Sequence, residues 1–135
     1  MRILLADDQL EVRSALFLLL DQEPDISVVG EASEASGLLS QLQAANPDLV
    51  LLDWELPGLH GKDAAAAAGN GVWKGLCSLS PRPLLVALSG RPEARRAAVA
   101  AGADGFVSKG DPPEELLRTL RAVARRKQGQ TDSLP

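Results

Sequence analysis

Five side chains in this sequence have types and spacing that suit chemistry: Asp7, Asp8, Asp53, Ser89 and Lys109. Each stands at or just beyond a short apolar run. Ile3-Leu4-Leu5-Ala6 ends in Asp7-Asp8, and Leu49-Val50-Leu51-Leu52 ends in Asp53. Leu84 to Leu88 ends in Ser89, and Gly105-Phe106-Val107 is followed closely by Lys109. Three carboxylates gathered at one rim repel one another unless a cation sits among them. Oxygen-only donors suit a hard ion, and Mg²⁺ commonly takes one or two carboxylates, several waters and a phosphate. A hydroxyl and an ammonium beside such an ion suit phosphoryl oxygens, Ser89 by a hydrogen bond and Lys109 as a point charge. Each residue also has a plainer reading. Asp7 could cap a helix, Asp53 and Ser89 could be turn residues before Pro57 and Gly90, and Lys109 could be a solvated loop lysine.

The elements that would hold these residues alternate along the chain. The apolar runs, with a β-branched run from Ile26 to Gly30, read as five strands. Residues 10–21 carry Val12, Ala15, Leu16 and Leu19 at helical spacing, and Glu23-Pro24-Asp25 stops them. A second helix opens at Ser33 or Glu34, turns Leu38, Leu39 and Leu42 inward and ends before Asn46-Pro47. Asp63 to Ala68 is alanine-rich and reads as a short helix broken by Gly69-Asn70-Gly71, with residues 72–83 irregular. Pro92 to Ala101 forms a fourth helix, stopped by Gly102. Asp111, Pro112, Pro113 and Glu114 start the last helix, Asp111 as its cap, and it runs to about Lys127. Continuous apolar strands are covered on both faces, so the class is α/β, a parallel sheet with helices on both sides. In such a sheet ligands bind beyond the carboxyl ends of the strands, where strand order reverses. That rim is where all five side chains fall.

Composition bounds the rest. The chain has 135 residues, 45% of them hydrophobic and 24% charged, the make-up of one globular domain. One cysteine, Cys77, can form neither an internal disulfide nor a thiolate metal site. A reducing, cytoplasmic setting is the expectation, with no membrane span. Net charge is −4, unevenly placed: residues 1–115 hold 9 basic and 17 acidic side chains, residues 116–135 hold 5 and 1. An acidic body disfavours direct nucleic-acid contact. The basic stretch from Arg118 to Lys127 suits the C-terminal end of a helix, with an acidic partner as the alternative. Cys77, Trp73 and His60 carry no functional assignment.

Four pieces in order resemble the receiver domain of bacterial two-component response regulators. They are Leu5-Ala6-Asp7-Asp8, Pro47 through Asp53 to Gly58, Leu88-Ser89-Gly90, and Ala101 through Phe106 to Lys109. The resemblance covers about residues 1–127, leaving 128–135 as a polar tail or linker stub. It implies a doubly wound, flavodoxin-like sheet of strand order 2-1-3-4-5, as in the chemotaxis receiver that is a standard example of that order. It also implies roles. Asp53 would accept a phosphoryl group from a phosphohistidine. Asp7, Asp8, Asp53 and the main-chain carbonyl of Glu55 would hold Mg²⁺, and Ser89 and Lys109 would hold the phosphoryl oxygens. Phe106 stands at the family's switch position. It would turn as Ser89 moves inward, remodelling the face of the fourth helix, fifth strand and fifth helix; its plainer reading is core. Glu55 and Arg91 stand where the family tunes phosphoaspartate lifetime.

The implied partner is a sensor histidine kinase or phosphotransfer protein, with homodimerisation through that same face. Lys109-Gly110 replaces a frequent Lys-Pro, and Lys109 to Leu117 resembles regulators whose output is a LuxR-type DNA-binding domain. The segment 62–83 is longer than usual for the family, which leaves the third helix open. Two other classes compete. A pseudo-receiver, never phosphorylated, would act only as an interaction or dimerisation module and would bind no Mg²⁺. A Mg²⁺-dependent phosphohydrolase would use Asp53 on free substrates, with Glu55 as its second acid, but the chain is short for a substrate-selecting cap.

Overall fold

The structure, a computed structural model, describes residues 1–60 and 71–132. The helix expected at Asp63 to Ala68 lies outside the described residues. Five parallel strands form one sheet in the order β2-β1-β3-β4-β5. They are β1 (Arg2–Ala6), β2 (Ser27–Ala32), β3 (Leu49–Asp53), β4 (Leu84–Ser89) and β5 (Gly105–Ser108). The helices between and after them are α1 (Leu10–Asp21), α2 (Leu38–Ala45), α3 (Val72–Cys77), α4 (Ala94–Ala100) and α5 (Pro113–Asp132). A 3₁₀ turn at Ala35–Gly37 leads into α2.

The strands divide their side chains by a period of two. Leu4, Ala6, Val50, Leu52, Leu85, Ala87 and Phe106 face one core, closed by residues of α2, α3 and α4 such as Leu38, Trp73 and Ala98. Ile3, Leu5, Leu49, Leu51, Val86, Leu88 and Val107 face the other, closed by Leu20 of α1 and by Leu116, Leu120 and Val123 of α5. Alternation is invisible in the sequence because both faces are buried, the expected mark of a parallel central strand. β3 is buried at every position. Gly105 lets α5 approach: a Cβ there would lie 2.8 Å from Val123 Cγ2.

The structure departs from the local sequence pattern in several places. β2 extends to Ala32, two residues past the expected Gly30, because Glu31 is tolerated on a sheet edge, where it pairs with Arg13. Leu38 and Leu42 point inward, but Leu39 is 37% exposed; 38 and 42 share a helix face and 39 is turned about 100° from it. Ala15 is exposed, and Leu20 is the buried anchor of α1. Residues 72–77, read as irregular, form α3, because Trp73 and Leu76 are one helical turn apart and bury together. Trp73 is thus core, its indole N–H donating to the Ala101 carbonyl at 3.0 Å. Asp111 turns backward: its carboxylate accepts the Ser108 N–H at 3.1 Å. α5 continues to Asp132, beyond the expected Lys127. Two stops stand as expected. Asn46 ends α2 in the left-handed region (φ 48°), and Gly102 ends α4 at φ 107°.

Candidate functional site

Parallel pairing brings the carboxyl ends of β1, β3, β4 and β5 to one rim. Ala6 is the register partner of Leu52, so Asp7 and Asp53 emerge side by side where the chain reverses direction across the sheet. Ser89 closes β4 opposite Ser108, one residue before Lys109. The Lys109 N–H donates to the Ser89 carbonyl at 2.7 Å, which fixes the start of the lysine loop.

Carboxylate oxygens of Asp7, Asp8 and Asp53 all lie within 4.8 Å of one another. Asp7 and Asp53 are buried, at 1% and 2% exposure, whereas Asp8 is open to solvent. One ammonium serves the buried pair. Lys109 Nζ lies 3.0 Å from Asp7 Oδ2 and 3.3 Å from Asp53 Oδ2, and donates to Gln9 Oε1 at 3.0 Å. Main-chain groups hold the other oxygens. Gln9 N–H donates to Asp7 Oδ1 at 2.8 Å, and Glu55 N–H donates to Asp53 Oδ1 at 2.9 Å. Asp7 Oδ2 is buried with no hydrogen bond of good geometry, so its partner is the Lys109 charge alone.

Burial pushes the Asp53 carboxyl up to about 6, and the Asp7 charge adds to the rise; the Glu55 N–H and the Lys109 ammonium only partly offset it. Burial alone would lower Lys109, but its close contact with the Asp7 carboxylate and the charges of Asp53 and Asp7 raise it above its ordinary value. The ammonium is therefore retained at neutral pH. Three carboxylates against one ammonium, one acid oxygen left without a hydrogen bond and one acid reaching solvent make a donor set suited to a hard divalent cation.

Ser89 is fully buried, and its hydroxyl does not reach for Asp53. It donates to the Glu55 carboxylate, 2.8 Å from Oε1 and 3.0 Å from Oε2. Arg91 completes this group, its N–H donating to Ser89 Oγ and its guanidinium to Glu55 Oε2, each at 3.0 Å. Phe106 is 4% exposed, in the core, with the Arg95 guanidinium 5.0 Å above its ring. Asp7, Asp8, Asp53 and Lys109 are thus brought together. Ser89 and the Glu55 main chain adjoin them, and Phe106 lies behind on β5. The residue types did not reveal Gln9, the third partner of Lys109, or the bond that ties the Glu55 carboxylate to Ser89. Gln9 directly follows Asp7-Asp8, the one available signal.

Beside the rim, Trp54 packs edge-to-face on His60 and Trp73, at ring centroid distances of 4.2 and 5.0 Å. His60 Nε2 lies 2.6 Å from the Trp54 carbonyl. The described cavities of note open at the opposite pole, around the strand starts. The larger, about 1350 Å³, is lined by residues including Leu42, Pro83, Leu84 and Arg121, and none of Asp7, Asp8 and Asp53 lines it. The chemistry sits on the shallow rim.

Residues 3–121 match the model of the response regulator receiver domain family. The nitrate/nitrite response regulator protein NarL of Escherichia coli K12 is 35% identical over 122 residues, covering 90% of this chain and 54% of NarL. The chain spans about half the length of the curated relatives it matches. The solved signal receiver domain of the putative response regulator NarL from Mycobacterium tuberculosis superposes with TM-score 0.74 at 27% identity, covering 95% of this chain and 96% of that one. The isolated receiver of RcsB from Salmonella enterica serovar Typhimurium, solved with phosphomimetic BeF3−, superposes with TM-score 0.76 at 23% identity, over 93% of this chain and 88% of that one.

Proposed function

The chain belongs to the response regulator receiver domain family, and on that premise we propose that it is a phosphorylation switch with Asp53 as its acceptor. The observation that carries this reading is the placement of Asp53, buried at the end of β3, with Asp7 and Asp8 within 4.8 Å and Lys109 shared with Asp7.

The donor is the phosphohistidine of a sensor histidine kinase or phosphotransfer protein. An Asp53 carboxylate oxygen attacks phosphorus, the P–N bond to the imidazole breaks, and that nitrogen keeps the electron pair and takes up a proton. Asp7, Asp8, Asp53 and the main-chain carbonyl of Glu55 would hold Mg²⁺. Bound there, the ion would supply positive charge against the phosphoryl oxygens. Lys109 follows the phosphoryl oxygens as a point charge, and the buried Ser89 hydroxyl donates to another. Both groups act by position and charge, which is most of what phosphoryl transfer requires.

The remaining roles are part of the same reading. Ser89 and Phe106 couple the acceptor to the α4-β5-α5 face, through which a second copy docks. Residues 1–127 are the receiver unit, with 128–135 as a polar tail or linker stub. The domain contacts no nucleic acid itself; a LuxR-type output domain in the longer regulator does. It acts on no outside substrate, catalysing only its own phosphorylation and dephosphorylation. It works in the cytoplasm. Among the described residues no helix is long and apolar enough to cross a membrane.

Intact mass after incubation with a small phosphodonor and Mg²⁺ tests the reading. One phosphoryl adduct that needs Mg²⁺ and vanishes in Asp53→Asn is expected. An adduct that persists in Asp53→Asn overturns Asp53 as acceptor. Absence of both adduct and Mg²⁺ binding leaves a pseudo-receiver.

A further inference from the structure

Ser89 Oγ carries one proton, and Glu55 holds it. The bond runs to a carboxylate, so it is charge-assisted and stronger than a neutral hydroxyl bond. Arg91 tightens the arrangement from both sides, its N–H on Ser89 Oγ and its guanidinium on Glu55 Oε2. Glu55 is meanwhile tethered to the acceptor by its own N–H on Asp53 Oδ1. The side chain that occupies the Ser89 proton therefore grows from the residue that orients Asp53.

We propose that the Glu55 carboxylate is a positioning residue that withholds the Ser89 hydroxyl from the rim until a phosphoryl group arrives. Ser89 cannot give one proton to Glu55 and to a phosphoryl oxygen. Loading Asp53 exchanges the first bond for the second, and the affinity of the loaded state is reduced by the worth of the bond that breaks. The proposal rests on the reading of Asp53 as phosphoacceptor. It concerns the Glu55 side chain, whereas the metal reading uses only its main-chain carbonyl. Glu55 is 38% exposed at its side chain, so its replacement leaves the core intact.

The test is a double-mutant cycle with BeF3− as the probe, in Mg²⁺, on the full chain. The dissociation constant is measured for wild type, Glu55→Ala, Ser89→Ala and the double variant. Glu55→Ala is expected to tighten binding about tenfold in the presence of Ser89, the worth of a hydrogen bond to a charged group. In combination with Ser89→Ala it is expected to change binding less than about twofold. Equal tightening with and without Ser89 overturns the proposal, because Glu55 then acts only as a negative charge near an anion. No tightening by Glu55→Ala overturns it too. BeF3− failing to bind any folded form overturns the Asp53 reading, and the proposal with it. Urea unfolding of the four unliganded proteins gives a second readout. Coupled effects of the two substitutions are expected, and strict additivity contradicts the Ser89–Glu55 bond.

Discussion

Asp7 and Asp53 share one ammonium: Lys109 Nζ lies 3.0 Å from an oxygen of the first and 3.3 Å from an oxygen of the second. Neither acid is exposed beyond 2%. A single positive charge between two buried negative ones leaves the pair undercompensated, and Asp53 carries the consequence as a raised pKa. A further cation would relieve that pair, and the stability of the fold should report it.

Asp53 in the fold titrates at about 6, above the unfolded carboxylate value of about 3.9. A raised acid binds protons more tightly in the fold. Its stabilising contribution is therefore full below about pH 4 and lost as pH rises through about 6. In metal-free buffer at pH 7, Asp53→Asn is expected to stabilise the protein by about 1–3 kcal/mol. Near pH 4 the two proteins should unfold alike. Urea titrations at both pH values check this; an Asn variant less stable at pH 7 contradicts it.

Mg²⁺ should stabilise the wild type by mass action, by about 2.7 kcal/mol at a hundredfold excess over its dissociation constant, and so raise its melting temperature. The increment should be smaller at pH 5, where Asp53 is mostly protonated. Asp8→Asn should abolish it while barely changing the metal-free protein, because Asp8 is exposed. Differential scanning calorimetry with and without chelator reads all three.

Lys109→Ala removes the ammonium shared by Asp7 and Asp53 and should cost about 2 kcal/mol at pH 7. The loss should shrink toward pH 5 as Asp53 takes a proton instead. A pH-independent loss would show that the lysine acts by packing.

At the opposite pole, Arg82 grips Asp104 with both nitrogens, at 2.8 and 3.1 Å, and Leu85 N–H donates to the same carboxylate at 2.8 Å. Burial opposes ionisation of Asp104, but Arg82 and the Leu85 N–H outweigh it and hold the pKa below the ordinary value. A lowered acid stabilises above its unfolded pKa and loses that contribution as pH falls through the folded one. Asp104→Ala should cost about 2–3 kcal/mol at pH 7 and progressively less in acid, measured by urea unfolding.

Gly105→Ala places a methyl 2.8 Å from Val123 Cγ2. α5 must shift or Val123 must leave its rotamer, at about 1–3 kcal/mol. The double variant with Val123→Ala should recover part of that loss in thermal unfolding.

What the sequence made legible was the sheet and the acids on its rim. Leu49-Val50-Leu51-Leu52 is apolar because β3 is buried on both sides, and a strand buried that way can end usefully only at its tip, in Asp53. Edges and orientations were harder. Glu31 looks foreign to a strand until Arg13 is seen beside it. Residues 72–77 read as irregular because the burial of Trp73 and Leu76 depends on partners distant in the chain. Asp111 has cap chemistry in either direction, and only the turn at Ser108 decides that it looks back. Gln9 and the Glu55 carboxylate gain their roles from single hydrogen bonds, to Lys109 and Ser89, which no spacing rule encodes.

The edge-to-face stack of Trp54 on Trp73 has an optical consequence. These are the chain's two tryptophans, and it has no tyrosine. Both indoles lie in one cluster, 5.0 Å between centroids, and Trp54 is covalently next to Asp53. Near-ultraviolet emission therefore originates at one place, beside the acceptor, and the close pair should couple excitonically in circular dichroism. Ionisation, metal entry or modification at Asp53 should therefore change the intrinsic fluorescence of the unlabelled protein, with no other tryptophan or tyrosine contributing.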